Sequence, residues 1–226
     1  NMIQCNVSAT SPTVNTTDTT DAFYRTVVTD FFQAKLMVKL MQDKSIDLAK
    51  VGIFHAEESW GTGLKDAVLA ELGADAATAW VKSHPEDSWD IAAGENQANL
   101  DAVIAANLSV LVLPTKSPAS GIVKYLTENN FTGTILLADG AKSDDIFTAA
   151  TGLQAWDDVA GNEILGTEPD NFGGDNSAAF STALEAASIE SNSYSPSAYD
   201  CAYALALSVA YAEQAGDVDA AAVKTA

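Results

Sequence analysis

Residues 108–113 read Leu-Ser-Val-Leu-Val-Leu and are followed by a proline. Short apolar runs that end at a turn signal are typical of strands buried on both faces of a parallel sheet. Residues 51–55, Val-Gly-Ile-Phe-His, have the same character. Between the two runs, Leu64, Val68 and Leu72 recur four apart, which predicts a helix with one apolar face. The centre of the chain therefore predicts alternating strands and helices, which indicates an α/β fold.

This alternation extends on both sides of the central run. The predicted strands cover residues 51–55, 76–81, 108–113, 134–138 and 159–165, and the helices between them centre on residues 64–72, 96–106 and 122–126. Strands that alternate with amphipathic helices form consecutive βαβ units. We expect the first four of these strands to be neighbours in one parallel sheet, with helices on both of its faces.

The two ends of the chain differ from this centre. Residues 11–21 are rich in Thr, Asn and Asp, and residues 166–176 are rich in Gly, Asp and Asn, both of which are compositions typical of links. Two further helices are predicted at residues 177–187 and 198–214. Residues 1–7 resemble a strand already in progress, so we expect a processed or truncated sequence.

The chain is strongly acidic, because 31 Asp and Glu residues against 11 Lys and Arg residues give a formal net charge of −20. Such a surface repels phosphate backbones, so nucleic acid is not an expected partner. We interpret the charge as an adaptation to salty surroundings, where excess carboxylates keep the surface hydrated. An acidic patch that recruits a basic partner is the alternative. No apolar run is long enough to predict a membrane-spanning helix.

The sequence contains two cysteines, Cys5 and Cys201. Two cysteines are too few for a disulfide framework, and their wide separation fits no zinc-binding pattern. One bridge formed in an oxidising compartment and two buried thiols remain as alternatives. Of the two, we expect the reduced thiols.

Motifs of known catalytic chemistry are missing from the sequence. It has two histidines, His55 and His84, and no Gly-x-Ser-x-Gly elbow, His-Glu-x-x-His motif or Walker loop. Residues 61–63, Gly-Thr-Gly, open a predicted helix, but Asp66 stands where a dinucleotide fingerprint has its third glycine. We interpret this segment as a tight turn and His55 as a structural histidine. No catalytic residue, cofactor or metal ligand is therefore predicted.

Open parallel sheets bind ligands at the loops that follow the carboxyl ends of their strands. In this chain those loops are predicted at residues 56–61, 114–118 and 139–143. Each loop carries one residue suited to hold a small polar molecule, and these are Trp60, Lys116 and Asp139. The pattern therefore predicts a small-molecule site at this edge of the sheet.

Four blocks of the sequence resemble the branched-chain amino-acid-type binding proteins of ABC transporters. Residues 8–12, Ser-Ala-Thr-Ser-Pro, with residues 23–26, Phe-Tyr-Arg-Thr, are similar to that family's I-S-x-x-A-T-S-P and F-x-R-T segments. Residues 59–64, Ser-Trp-Gly-Thr-Gly-Leu, resemble its D-Y-G-x-G-L, and residues 137–143, Leu-Ala-Asp-Gly-Ala-Lys-Ser, resemble its L-x-T-D-G-x-K-S. Residues 198–207, Ala-Tyr-Asp-Cys-Ala-Tyr-Ala-Leu-Ala-Leu, resemble its A-Y-D-A-x-Y-L-L-A-L helix. The blocks stand in the family's order and spacing across nearly the whole chain.

The resemblance implies a two-lobed periplasmic-binding-protein type 1 fold, with Rossmann-like parallel sheets and strands that cross between the lobes. It implies that residues 23–167 are the complete second α/β lobe. Residues 1–22 and 168–226, which include the returning helices, then belong to a partial first lobe whose opening strands and C-terminal end are absent from the sequence. An incomplete lobe exposes sheet edges and apolar surface, so we expect a homodimer or strand exchange through residues 1–22 and 177–214.

The resemblance also implies a ligand site in the cleft between the two lobes. Ser8 and Thr10 match residues that meet the ligand α-carboxylate through hydroxyl and backbone groups, and Ala9 belongs to the same segment. Asp139 matches the acidic residue that takes the α-ammonium group. These matches imply a small amino-acid-like ligand.

Three further residues complete the implied site. Trp60 matches a tyrosine and Tyr194 matches an aromatic residue of the first lobe, so both rings are expected to wall the pocket. Lys116 stands where branched-chain binders carry an aromatic residue. It indicates either a ligand with a second acidic or polar group or a lysine that points to solvent.

The function that the resemblance implies is binding without catalysis. We expect the protein to capture its solute in the periplasm or outside the cell, with or without a lipid anchor, and to deliver it to the permease of an ABC importer. A ligand-sensing receptor ectodomain of the same fold is the alternative. A cytoplasmic repressor is disfavoured by the acidic surface and by the lack of a DNA-binding segment.

Overall fold

The computed structural model describes residues 3–14, 18, 21–85, 94–143, 146, 156, 158–170 and 176–214. The chain divides into two compact units, one formed by Asn1–Thr29 with Pro169–Ala226 and the other by Asp30–Glu168. Parts of both predicted links, residues 15–17, 19–20 and 171–175, lie outside the described residues.

Helices and strands alternate along the second unit. In chain order the described elements are β1 (Gln4–Asn6), β2 (Phe23–Arg25), α1 (Asp30–Asp43), β3 (Val51–Ala56), α2 (Ser59–Leu72), β4 (Trp80–His84), α3 (Gly94–Ala105), β5 (Val110–Leu113), α4 (Ala119–Glu128), β6 (Thr134–Leu137), β7 (Glu163–Gly166), α5 (Ser177–Ala186) and α6 (Ser195–Gln214). Short 3-10 helices cover Leu48–Lys50, Gly73–Thr78 and Asp139–Ala141.

The second unit is built on a five-stranded sheet in the order β4-β3-β5-β6-β7. Every neighbouring pair in this sheet is parallel, with Val51 opposite Val110 and Val110 opposite Thr134. The predicted α/β fold with a parallel sheet is therefore confirmed.

Each face of this sheet has its own apolar core, because successive side chains of a strand point to opposite faces. On β5, Val110 and Val112 belong to one core, and Leu111 and Leu113 belong to the other. The first core is completed by Ala34, Met37, Val38 and Met41 of α1 and by Leu64, Val68 and Leu72 of α2, and the second by Leu100 and Val103 of α3 and by Ile122, Val123 and Leu126 of α4. Helices therefore cover both faces of the sheet, as predicted.

Two predicted strands begin four residues later than expected, and the strand predicted at 108–113 begins at Val110. Residues 76–78 belong to a 3-10 helix, and the strand predicted at 76–81 is β4, Trp80–His84. β4 is an edge strand whose polar residues do not form an apolar run, so the alanine-rich segment before it gave the stronger sequence signal. The strand predicted at 159–165 corresponds to β7, which begins at Glu163. It begins late because Gly161 has a φ of 95°, which is far from the φ of a regular strand.

In the first unit, β1 and β2 form a parallel pair in which Cys5 lies opposite Tyr24. The resemblance implies that residues 23–26 belong to the second lobe, whereas in the structure β2 pairs with β1 within the first unit. A disulfide between Cys5 and Cys201 joins β1 to α6, with 5.7 Å between the two Cα atoms. The expectation of reduced thiols is therefore wrong, because the fold brings together two cysteines that are 196 residues apart.

The two helices of the first unit bury few residues. α5 has no buried residue, and α6 buries Cys201 and Ala212. Large apolar side chains four residues apart form an exposed stripe along α6, and they are Tyr199, Tyr203, Leu207 and Tyr211. No helix in the described part of the chain is both long enough and apolar enough to span a membrane.

Candidate functional site

The three loop residues predicted in the second unit all lie at the carboxyl edge of its sheet. Trp60 stands in the first turn of α2, four residues after β3 ends at Ala56. Lys116 follows β5, and Asp139 follows β6 as the first residue of a 3-10 helix. Because parallel strands end at a common edge, the order of strands along the sheet brings these loops side by side.

Lys116 is held from two directions. Its Nζ forms an ion pair with Oε1 of Glu58 and lies 5.1 Å from the centroid of the Trp60 ring. The Lys116 side chain is 43% exposed and that of Glu58 is 33% exposed, so water screens this pair in part. Lys116 thus has a carboxylate partner on the neighbouring loop, an arrangement that the sequence did not predict.

Gly140 lies where these loops meet, at a position with no room for a side chain. A Cβ atom at this position would lie 2.9 Å from both Cγ of Lys116 and Cη2 of Trp60. Such distances are shorter than normal carbon contacts, so any larger residue would push Lys116 or Trp60 aside. The absence of a side chain at position 140 therefore lets the three loops meet.

Asp139 is oriented by Gln33, a residue of the first turns of α1. The Nε2 of Gln33 donates to Oδ1 of Asp139 at 2.9 Å, and to the carbonyl oxygen and Oγ1 of Thr167 at 3.1 Å each. One amide therefore links the ends of β6 and β7 to α1. Gln33 was not among the predicted site residues, although a polar residue four positions before the buried Met37 on α1 was an available signal.

Carboxylates outnumber ammonium groups on the described loops at this edge. Within the second unit four acids stand against two lysines, an excess of two negative charges, and the residues are Glu57, Glu58, Asp139 and Glu168 with Lys116 and Lys142. Lys142 Nζ pairs with Glu168 at 2.7 Å, and Ser83 Oγ donates to Glu57 at 2.6 Å. An edge of this charge attracts cations and cationic groups more than anions.

The two histidines lie at the ends of adjacent strands and are both buried, His55 at 8% and His84 at 1% exposure. Nδ1 of His55 donates to the carbonyl oxygen of Ala56 at 2.9 Å, and Nδ1 of His84 donates to that of Pro85 at 3.0 Å. Loss of hydration on burial lowers the pKa of both rings. This geometry is that of neutral histidines that hold the backbone.

The predicted residues of the first unit form a fixed turn after β1. The backbone N–H groups of Ser8 and Ala9 donate to Oδ1 of Asn6 at 3.0 and 2.8 Å. Arg25 Nη1 donates to the carbonyl oxygen of Ala9 at 2.7 Å. The Ser8 side chain is exposed and that of Thr10 is 4% exposed. Of this segment, the structure therefore offers the Ser8 hydroxyl most directly to an outside group.

Tyr194, the remaining predicted residue, is half-buried and immediately precedes α6. Its N–H donates to Oδ1 of Asn192 at 2.9 Å, and its carbonyl oxygen accepts from Ala198 N–H at 3.0 Å. These bonds fix the backbone at the start of the helix.

Two other features of the described residues bear on the site. They contain no group of three or more His, Cys, Asp and Glu residues that would hold a metal ion. A broad groove of about 580 Å³ lies at the opposite edge of the sheet, where β5, β6 and β7 begin. Ser109, Thr134 and Glu163 are among the residues that line it, and the predicted site residues are not.

Neither protein-family models nor curated proteins match this sequence. Solved structures do match it. A leucine binding protein, LivK, from Thermotoga maritima MSB8 is 19% identical over 99% of this chain and 60% of that chain, with a TM-score of 0.76. The solute binding protein of an ABC transporter from R. palustris, in complex with 4-hydroxybenzoate, is 16% identical over 99% of this chain and 59% of that chain, with a TM-score of 0.75.

A fatty acid ABC transporter substrate-binding protein from Thermomonospora curvata is also similar, at 14% identity over 91% of this chain and 52% of that chain, with a TM-score of 0.65. This chain thus spans about 60% or less of the length of these structures. They are two-lobed proteins of the type 1 periplasmic binding fold, so the predicted fold is confirmed. Their names refer to different ligands, namely leucine, 4-hydroxybenzoate and fatty acid, so this fold does not by itself determine the ligand.

Proposed function

Because this chain has the type 1 periplasmic-binding-protein fold, we propose that it binds a small amino-acid-like solute outside the cytoplasm and delivers it to an ABC permease. The proposal includes no catalytic step. The solved structures that it resembles belong to solute-binding proteins of ABC transporters for varied ligands. The fold supports solute binding, and the amino-acid head group is argued from the residues at the carboxyl edge of the sheet.

The position of Asp139 and its hydrogen bond to Gln33 are the observations that carry the proposal. Asp139 stands half-buried at this edge, with one carboxylate oxygen held by Gln33. An amide donor orients a carboxylate without adding a positive charge, and the described loops around it carry an excess of acids. A ligand ammonium group at Asp139 would therefore gain a charge-assisted hydrogen bond in a favourable field.

The first unit is proposed to supply the contacts for the ligand carboxylate. The hydroxyl groups of Ser8 and Thr10 are the proposed donors, with Ala9 as part of the same turn. Since the N–H groups of Ser8 and Ala9 already donate to Asn6, the exposed Ser8 hydroxyl is the main donor in this proposal. Tyr194 and Trp60 are proposed as the aromatic walls of the site.

The disulfide supports a location outside the cytoplasm. Disulfides form and persist in oxidising compartments such as the periplasm and the extracellular space. The bridge between Cys5 and Cys201 therefore agrees with a periplasmic or extracellular protein. A permease of an ABC importer is the partner that this location and fold favour.

Titration calorimetry of the full-length protein against a panel of amino acids tests the head group. Asp139→Asn removes the charge and keeps the shape of the side chain, so we expect it to weaken amino-acid binding by about ten- to a hundredfold. Asp43→Asn is the matched control, because Asp43 is an exposed acid paired with Lys39 on α1. Equal affinity of the Asp139 variant and the native protein, or a preferred ligand without an amine, would refute the proposed head group.

We also propose self-association through the exposed stripe of α6, defined by Tyr199, Tyr203, Leu207 and Tyr211. A continuous apolar surface of this kind is normally covered in a soluble protein. Tyr203 is 56% exposed and stacks on Tyr199, so Tyr203→Lys would place a charge in the middle of the stripe. Light scattering should show a dimer that the variant loses. A monomer at high concentration of the native protein would count against the proposal.

A further inference from the structure

The surroundings of Lys116 point to the kind of ligand that the site accepts. Lys116 is the cation nearest to Trp60 among the described contacts, and its charge is already paired with Glu58. The loop of Gly140 packs against the stem of Lys116 and the edge of Trp60. The lysine is thus bound on one side by a carboxylate, on a second by an aromatic face and on a third by backbone.

A ligand with an acidic side group would have to compete with Glu58 for this lysine. If the ligand displaced Glu58, the Glu58 carboxylate would lose its cation. It would also lie close to the ligand's own carboxylate, and like charges at short range repel. If the ligand did not displace Glu58, its acid would enter an edge that already carries excess negative charge. Both routes are unfavourable for an acidic side group and neutral for an uncharged one.

We infer that the Glu58–Lys116 ion pair is a selectivity device that makes the site favour amino-acid-like ligands with uncharged side chains over acidic ones. The inference rests on the proposed function, which supplies the amino-acid head group. It differs from the sequence-based interpretation in which Lys116 meets an acidic group of the ligand. In this view the lysine is not an open receptor for a ligand acid, because Glu58 and Trp60 hold it although its side chain is 43% exposed.

The test uses two substitutions that remove the same charge from the same loop. Glu58→Gln takes the partner from Lys116, whereas Glu57→Gln removes a neighbouring carboxylate that accepts the Ser83 hydroxyl. The Glu57 variant reports how much the loss of one negative charge matters by itself. Any additional effect of the Glu58 variant is then due to the release of Lys116.

Glutamate and glutamine are the probes, since they share a shape and differ in charge. Their inhibition constants are measured in competition with the best ligand of the amino-acid panel on the full-length protein. We expect the native protein to favour glutamine, and Glu58→Gln to shift the ratio of the two constants toward glutamate by about tenfold, as one new charge-assisted bond would. The Glu57 variant should shift it by no more than about twofold. Native preference for glutamate, or equal shifts in the two variants, would overturn the inference.

A second measurement does not depend on any ligand. Acetylation of Lys116 by an amine-reactive reagent, followed by peptide mass spectrometry, should be several times faster in Glu58→Gln than in the native protein or in Glu57→Gln. Lys39 on α1 serves as the internal reference, because its partner Asp43 is unchanged. An unchanged rate would show that the ion pair does not hold Lys116, which also overturns the inference. If the labelling changes as expected but the native protein binds no amino acid, the proposed function fails, and the assigned selectivity fails with it.

Discussion

The two units of this chain use the same kinds of elements but bury them to different extents. In the second unit, every residue of β3, β5 and β6 is buried, and helices cover both faces of the sheet. In the first unit, α5 buries no residue and α6 buries two of its 20 residues. Hydrogen bonds are formed in both units, so burial is what separates them. Since apolar burial is the main source of stability, the second unit should carry most of it.

The largest expected effect comes from one substitution made in both units. Leu111→Ala removes a fully buried side chain from the core of β5 and should lower the free energy of unfolding by about 3 kcal/mol. Leu207→Ala makes the same change on α6, where the side chain is 57% exposed, and should cost the monomer less than about 0.5 kcal/mol, measured at a protein concentration too low for self-association. Urea unfolding measures both values. Equal costs would contradict the comparison between the two units.

The disulfide should stabilise the first unit more than the second. Reduction of the Cys5–Cys201 bridge releases a constraint across 196 residues and should lower stability by about 2–4 kcal/mol. Hydrogen exchange should speed up for the amides of β1 and α6, while those of β3 and β5 stay slow. A Cys5→Ser, Cys201→Ser double variant is the control, because reductant should not change its exchange. Equal acceleration in β5 would show that the bridge stabilises both units alike.

Acidification should weaken the second unit through its two histidines. Burial lowers the pKa of His55 and His84 in the folded protein below the ordinary value of 6.5. The unfolded chain therefore binds more protons, so stability is fully present above about pH 6.5 and declines as the pH falls below it. Urea unfolding between pH 7.5 and about 5.5 should show this decline. The profile of a His55→Gln, His84→Gln double variant should be flatter, and an identical slope would exclude the histidines as its source.

The smallest expected effect concerns how much exposed hydrogen bonds contribute to the stability of each unit. Thr26 Oγ1 donates to the carbonyl oxygen of Ser197 in the first unit, and Thr78 Oγ1 donates to that of Asp75 in the second. Both bonds are exposed, so Thr26→Val and Thr78→Val should each cost less than about 1 kcal/mol. Thermal unfolding of the two variants checks this. A large loss in either one would mean that such bonds contribute to the difference.

The sequence predicted the centre of the sheet well, because strands buried on both faces are apolar along their whole length. Val110–Leu113 and Val51–Ala56 are such strands. It predicted the edge strand Trp80–His84 poorly, since one side of an edge strand meets solvent and tolerates Lys82 and Ser83. An apolar-run criterion detects full burial, so it is most accurate where the sheet is most enclosed.

The positions of the candidate site residues were predictable, but their partners were not. Trp60, Lys116 and Asp139 follow strand ends, and the rule that parallel strands end at one edge is sufficient to bring their loops together. The contacts of Lys116 with Glu58 and of Asp139 with Gln33 depend on side-chain directions across loops and helices. The pairing of Cys5 with Cys201 likewise depends on the tertiary fold, since the sequence carries no signal that spans their separation.

The positions of Cys5 and Cys201 in the chain also set the order in which the second unit and the disulfide can form during synthesis. All of the second unit, Asp30–Glu168, lies between the two cysteines, so it leaves the ribosome before Cys201 does. The second unit therefore has time to complete its sheet before the disulfide closes the covalent ring that includes it. Once the ring is closed, a single proteolytic cut in any loop between the cysteines leaves the fragments joined as one molecule. Under denaturing conditions the fragments would then separate only after reduction, so the bridge is a covalent safeguard against nicking.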